Sequence, residues 1–373
     1  MINKARLLQT FTDLLKINSP SLNEGGVAKY IAARLRKTNI DFYRDQSYKK
    51  FGGKCGNIYA KTKGRKGALP LLFVSHTDTV VETRRLKIVN EGDMIRSDGK
   101  TILGADNKAG VAVMLELMES IARKRDIGKV EFLFTVAEEV GLLGAKHFDC
   151  GKLGAQYAYV IDSGLPVGTI VTSSPSAAKI TATVLGKAAH AGAEPEEGVS
   201  AIQIAAKAIN RMRLGRIDHE TTANIGVISG GKKTNIIPAR ARIEGETRSF
   251  SEIKLEKQIV HMHECFNLSA ERFGGKIKFA WEKSFDTYQI PPEAPIVKLI
   301  RKAARSLKIS TQTRSSGGGS DANIFNEKGI QAVVLGQGYN GAHSEQECIT
   351  NQSLFQMATL LEALVMQAVG KKK

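Results

Sequence analysis

The 373-residue sequence has no uninterrupted apolar run near the roughly 18 residues that a membrane-spanning helix needs, so no membrane partner is expected. Cysteine is scarce: Cys55, Cys150, Cys265 and Cys348 are scattered without a Cys-x-x-Cys pair, which excludes a zinc knuckle or dithiol redox motif. The four read as reduced, structural thiols. The opening MINKARLLQTF lacks an apolar core and a small-residue cleavage site, so a cytoplasmic location is expected. Gly317–Gly319 is not followed by the Lys-Ser/Thr ending of a P-loop, which argues against nucleotide binding there. Positive charge is plentiful, with a net charge of +17 and a pI near 9.6. It is spread along the chain with no basic arm or aromatic-interleaved basic motif, so it reads as a general surface property and no nucleic-acid partner is expected. Lys371–Lys373 reads as a solvated tail.

At this length two domains are the default. Helical spacing of apolar residues marks 5–17, 26–36 and 111–125, and strands are expected at 39–43, 57–60, 69–75, 94–97, 130–136 and 157–161. After Ser173-Ser174-Pro175 the pattern changes to strand 179–185, helix 199–212, strands 224–229 and 239–246, helix 255–266 and strand 276–281. That β-α-β-β-α-β order is a split βαβ unit, a compact α+β (ferredoxin-like) domain of its own. The first domain resumes near Pro291-Pro292 with helix 295–307, strands 309–314 and 332–335, and a closing helix 353–369. The fold class is therefore α/β, with a mostly parallel central sheet flanked by helices and an inserted α+β domain. Boundaries fall at 1–174 with 288–373 for the first domain and 175–287 for the insert.

The chemistry-bearing residues stand at element ends. Leu71–Val80 (LLFVSHTDTV) breaks from an apolar run into His76 and Asp78; taken singly this is an ordinary turn, or a metal-ligating imidazole oriented by a carboxylate. Asp106 lies between Gly104 and Gly110 at a helix start, where a capping role is the plain alternative. Glu138 and Glu139 follow the apolar run 130–136 and point in different directions, so one can bind a metal while the other handles a proton, unless both are surface glutamates. Asp162 ends another strand, and His343 stands past 332–335. A βαβ alternation brings such ends to one sheet edge. His147, His219, His261 and His263 read as structural or surface residues.

The segments SHTDTV, GADNKAGVA, TVAEEVGLLGA, VIDSG, GKAAHAGAEPEEGVSA, TNIIPARARIEGETRSF, GGGSDAN and GAHSEQE, in that order, resemble the di-zinc peptidases. That family includes peptidase T, glutamate carboxypeptidase, succinyl-diaminopimelate desuccinylase and aminoacylase, and the wording is nearest the peptidase T-like, tripeptide aminopeptidase branch. A sister family of di-metal aminopeptidases inserts its extra domain between the His-x-Asp strand and the bridging aspartate, whereas here the insert follows Asp162. The resemblance implies that His76 and Asp162 bind one zinc, Glu139 and His343 the other, and that Asp106 bridges them with a cis bond to Asn107. It implies two Zn2+ per subunit, with Co2+ or Mn2+ also suited to the ligand set, a hydroxide between the ions, Glu138 as general base and Asp78 orienting His76. In the insert, read as a lid and dimerisation domain, His190 would stabilise the oxyanion. Asn235 and Arg248 would hold a substrate carboxylate, and a turn residue and a strand-end salt bridge are their plain alternatives. Gly318 would offer backbone N–H groups to the same carboxylate. The expected activity is hydrolysis of short peptides from the N-terminus by a homodimer. N-acyl amino acid deacylase and carboxypeptidase or dipeptidase activity on the same scaffold are the alternatives.

Overall fold

Continuous apolar runs suit strands covered on both faces, while alternating runs suit sheets with one covered face, and the chain uses both. The computed structural model describes residues 1–38, 40–65, 67–124 and 126–369. The expected tail at Lys371–Lys373, and the Asn39 and Arg125 ends of two expected elements, lie outside the described residues. In chain order come α1 (Lys4–Leu15), α2 (Gly25–Thr38), β1 (Asp41–Arg44), β2 (Ile58–Lys61), β3 (Leu71–His76), β4 (Ile88–Glu91) and β5 (Met94–Ser97). Helix α3 (Ala105–Ile121), β6 (Val130–Thr135), α4 (Leu143–His147), β7 (Tyr157–Ser163) and β8 (Thr169–Ser174) follow. Next are β9 (Ser176–Leu185), α5 (Ala201–Arg211), β10 (Gly215–Arg216), β11 (Thr221–Gly230), β12 (Arg240–Ser249), α6 (Glu252–Phe273) and β13 (Lys276–Phe285). The chain ends with β14 (Tyr288–Gln289), α7 (Pro295–Ser306), β15 (Gln312–Ser315), α8 (Asp321–Glu327), β16 (Gln331–Gly336), β17 (Cys348–Thr350) and α9 (Asn351–Gln367).

Two compact units result. The larger comprises Met1–Ser173, Gln289–Ser316 and Ser320–Lys373, and the smaller comprises Ser174–Tyr288 with Gly317–Gly319. The larger carries a sheet of order β1-β2-β6-β3-β7-β16-β8-β14, with β15 beside β8. Its centre is parallel: β3 pairs with β6 and β7, and β7 with β16. Parallel neighbours end at the same edge, so the residues that close β3, β6, β7 and β16 are gathered there. Every residue of β3 and β6 is buried, which is why their sequences run apolar without alternation. Helix α3 packs on β3 and β7 so closely that a Cβ on Gly110 would lie 2.5 Å from Ser75 Oγ and 2.8 Å from the Ile161 carbonyl oxygen. Helices α1 and α9 cover α3 in turn.

The smaller unit holds a wholly antiparallel sheet of order β10-β11-β12-β9-β13. Ala178, Ile180, Ala182 and Val184 alternate along β9 and bury one face against Ile204 and Ala208 of α5 and Ile259 and Phe266 of α6. Ser200 and Ser251 cap the two helices, accepting from the Gln203 and Lys254 amides.

Three sequence expectations need correction. Helix α3 begins at Ala105, not Val111, because its first turn is interrupted by non-helical backbone at Asp106 and Asn107. The strands expected to end at Ser75 and Ile161 run one and two residues further, so that His76 is the last residue of β3 and Asp162 the last but one of β7. Strands β4 and β8 have no counterpart in the sequence reading: β4 (IVNE) is half exposed, and β8 (TIVTSS) is buried yet rich in Ser and Thr. Among the described residues, no helix is long and apolar enough to cross a membrane.

Candidate metal centre

The centre is built at the carboxyl edge of the parallel strands. His76 arrives on β3, where it registers with Thr135 at the end of β6. The chain leaving β6 turns through Ala137, whose φ of 53° places it in the left-handed region, and so presents Glu138 and Glu139. Asp162 comes from β7, Asp106 from the first turn of α3, and His343, with φ of 63°, from the loop after β16. The Asp106–Asn107 peptide bond is cis.

These residues meet. His76 Nε2 lies 3.2 Å from Asp106 Oδ1 and 3.4 Å from Asp162 Oδ1. His343 Nε2 lies 3.0 Å from Glu139 Oε1 and 3.4 Å from Asp106 Oδ2. Asp106 thus turns one oxygen to each imidazole, and donor atoms of His76, Asp106 and Glu139 fall within 4.8 Å of one another. Asn107 Nδ2 donates to the Ile161 carbonyl at 2.6 Å and to Asp162 Oδ1 at 3.2 Å, while Gln337 Nε2 donates to Asn107 Oδ1 at 2.7 Å.

Asp78 contacts more than His76. The imidazole Nδ1 is 3.1 Å from the Asp78 carbonyl oxygen and 3.4 Å from its carboxylate, so the backbone is the nearer partner. The carboxylate accepts from the backbone amides of Glu138 (3.1 Å) and Glu139 (3.2 Å) and from Ser21 Oγ (2.7 Å). It therefore ties the His76 strand to the turn bearing both glutamates. Sequence reasoning passed over several further groups. Glu24 accepts from the Leu22 and Ala137 amides, Glu347 from those of Gly104 and Asp106, and Asp321 from Thr135 Oγ1. Asp321 and Glu347 lie within GGGSDAN and GAHSEQE, but a loop carboxylate carries no mark of burial in its sequence.

The electrostatics describe a crowded anionic cluster. Burial alone would lower the His76 imidazole, but Asp162 and hydrogen bonds with Asp106, Asp162 and Asp78 hold it well above its ordinary value. Hydrogen bonds to Asp106 and Glu139 push His343 up to about 10. Burial would raise Asp106, yet its bonds to both imidazoles hold it well below the usual carboxylate range. Burial raises Asp162, and it raises Glu138 well above its ordinary value, with Asp162, Asp321 and Glu139 adding to the effect against His76. Protons on the two imidazoles offset part of the carboxylates' charge, and divalent cations would replace those protons. Two imidazoles and three carboxylates form a mixed N/O set suited to zinc, cobalt or manganese, so the residues fit such ions.

The remaining expected residues belong to the smaller unit. His190 bridges Ile236 in antiparallel fashion, and the Ala191 amide donates to the Asn235 carbonyl at 3.0 Å. His190 Nδ1 accepts from the Gly192 and Ala193 amides, which leaves the proton of a neutral ring on Nε2. Arg248 is engaged with its own strand: its fork donates to both carboxylate oxygens of Glu246, at 2.9 and 3.0 Å, and its third nitrogen to the Gly317 carbonyl at 3.1 Å. The Gly318 carbonyl accepts from Ser174 Oγ at 2.8 Å.

Known proteins share this fold. The profile described as "Peptidase family M20/M25/M40" matches residues 72–367. The crystal structure of aminopeptidase PepT from Bacillus cereus ATCC 10987 is 38% identical, covering 99% of this chain and 100% of that one with a TM-score of 0.88. That of a tripeptidase from Staphylococcus aureus subsp. aureus Mu50 is also 38% identical, with 99% of each chain covered and a TM-score of 0.93. The uncharacterized protein YqjE of Bacillus subtilis is 38% identical over 369 residues, 99% of this chain and 100% of its own. Similarity of this extent, over 72–367 for the family profile and over almost the whole chain for the solved structures, means that the chain belongs to peptidase family M20/M25/M40 and is a metallopeptidase, a hydrolase of peptide bonds.

Proposed function

We propose that the chain is a cytoplasmic aminopeptidase that releases N-terminal residues from tripeptides with the help of two zinc ions. The observation that carries this reading is the shared carboxylate: Asp106 faces His76 with one oxygen and His343 with the other. His76 and Asp162 would hold one cation, Glu139 and His343 the second, and Asp106 both. Bound there, the ions would lower the pKa of a water to about 7 and polarise the scissile carbonyl.

The chain's own groups would do the rest. Glu138 would take the proton of the attacking water and return it to the leaving amine, a task suited to a carboxyl whose burial favours the protonated form. Asp78 would fix the direction of His76 and the Glu138-Glu139 turn together. His190, with its proton on Nε2, would donate to the oxyanion as it develops. Asn235, Arg248 and the Gly318 backbone would take the substrate carboxylate, and Arg248 would do so by exchanging Glu246 for it. We also assign 175–287 as an inserted lid domain through which two subunits pair. The cytoplasmic assignment is supported by four free cysteines.

A panel of free and N-acylated di- and tripeptides, assayed with metal content in parallel, tests the reading. Free tripeptides should be cleaved at the N-terminal bond, and cleavage of acylated substrates alone would favour a deacylase. Glu138→Ala should lower turnover by about 10²–10⁴-fold while two ions stay bound. Undiminished turnover in that variant would remove Glu138 from the reaction.

A further inference from the structure

Helix α3 starts without a side chain of its own to cap it. Its N-cap residue is Gly104, so the first amides must find an acceptor elsewhere. They find it about 240 residues along the chain. The Gly104 amide donates to Glu347 Oε2 at 2.6 Å and the Asp106 amide to Glu347 Oε1 at 2.8 Å. One carboxylate thus takes the N-cap amide and a second amide of the first turn, at the end of a helix whose dipole favours a negative charge.

The position of Glu347 makes this more than a cap. His343 stands four residues earlier, and residues 341–346 are largely exposed, so the tip of this loop is held by short-range bonds such as Ser344 N–H to the Gly341 carbonyl. Glu347, with no solvent exposure, is where the loop re-enters the core, and Cys348 then begins β17, which pairs with β5. The carboxylate is therefore a direct tie between the loop carrying His343 and the turn carrying Asp106. His76 and Asp162, by contrast, are placed by strands that pair through neighbouring residues.

We propose that Glu347 is a positioning residue that locks the His343 loop to the Asp106 turn and so sets the spacing of the two halves of the metal centre. The inference rests on the two-cation reading above. Without Glu347 the loop would still close through β17, but His343 and Asp106 would no longer be held in register before a cation arrives. Glu347→Gln keeps the size of the side chain yet turns an NH2 group toward one of the two amides. Glu347→Asp keeps the charge but is one methylene short.

The test uses the full chain stripped of metal, titrated with Zn2+ by calorimetry and with Co2+ by its visible absorption, alongside hydrogen exchange of the metal-free protein. The native chain should bind two ions. Glu347→Gln should bind about 10–100-fold more weakly, the range found when groups supporting metal ligands are removed, and should shift the Co2+ band. Glu347→Asp should recover part of the affinity. Exchange should quicken together at Gly104, Asp106 and residues 342–347. Native affinity and an unchanged band in folded Glu347→Gln would overturn the proposal, leaving Glu347 as a helix cap only. If that variant does not fold, the same measurements on Glu347→Asp decide, and native affinity there overturns it. A native chain that takes up neither ion would overturn the two-cation reading and this inference with it, an outcome distinguished by the wild-type titration alone.

Discussion

Glu24 puts a carboxylate with no solvent exposure against the backbone that leads into Glu138. It accepts from the Leu22 amide at 2.8 Å and the Ala137 amide at 2.9 Å. Burial, with the charge of Asp78 adding to it, pushes its carboxyl from 4.5 up to about 7. A raised carboxyl stays protonated in the folded chain while the unfolded chain has already lost its proton, so its contribution to stability falls as pH rises from about 4.5 to about 7. At about 1.4 kcal/mol per unit the full loss is about 3 kcal/mol. Glu24→Gln does not titrate, so urea midpoints in chelator at pH 5 and pH 8 should move in the variant's favour at the higher pH. An unchanged difference between the two proteins would place the Glu24 carboxyl at its ordinary value. The same residue shows where sequence reading stops. His76, Glu139 and Asp162 were legible because they stand where apolar runs end and polar residues need a reason, and Asp106 and His343 because they lie in glycine-rich loops at element ends. Glu24 sits in the polar stretch NSPSLNE, where its burial depends on contacts that Ala137 makes more than 100 residues away.

Helix α3 and the strands beneath it explain why GADNKAGVA carries glycine at Gly110. A Cβ there would lie 2.5 Å from Ser75 Oγ, 2.6 Å from Asn107 Oδ1 and 2.8 Å from the Ile161 carbonyl oxygen, and two of these belong to the strands that bear His76 and Asp162. Gly110→Ala should therefore push the first turn of α3 off the sheet, costing about 1–3 kcal/mol as overpacking does. Asp106 lies on that turn, so metal affinity should fall along with the thermal midpoint. A variant less stable but with native affinity would show that the helix shifts without moving Asp106. Elements were read well where period and burial agree, as in β3 and β6. The first turn of α3 was not, since its helix pattern is broken by the backbone at Asp106 and Asn107, and neither was β8, whose buried residues are mostly Ser and Thr.

On the scale of the whole molecule, the change of pattern after Ser173-Ser174-Pro175 was legible because the smaller unit has its own periodicities, and these build a core of its own. The net charge of +17 was read as a surface property, yet the same chain buries Asp106 and Glu138 and half-buries Asp162 and Glu139 around two imidazoles. Composition averages over the surface and says nothing of a local excess of opposite sign. All five candidate ligands belong to the larger unit, and none to the smaller. Binding to the folded form alone adds stability of about 2.7 kcal/mol when the free ion is at 100 times its dissociation constant. That gain should appear in one unit only. Differential scanning calorimetry in chelator and then in Zn2+ should show one transition rising with metal and a second, from the unit comprising 174–288, staying in place. The removal of a ligand, as in His343→Ala, should shrink the shift of the first transition and leave the second untouched. A shift of both by the same amount would mean that the smaller unit does not melt on its own and that its core is stabilised through the larger one.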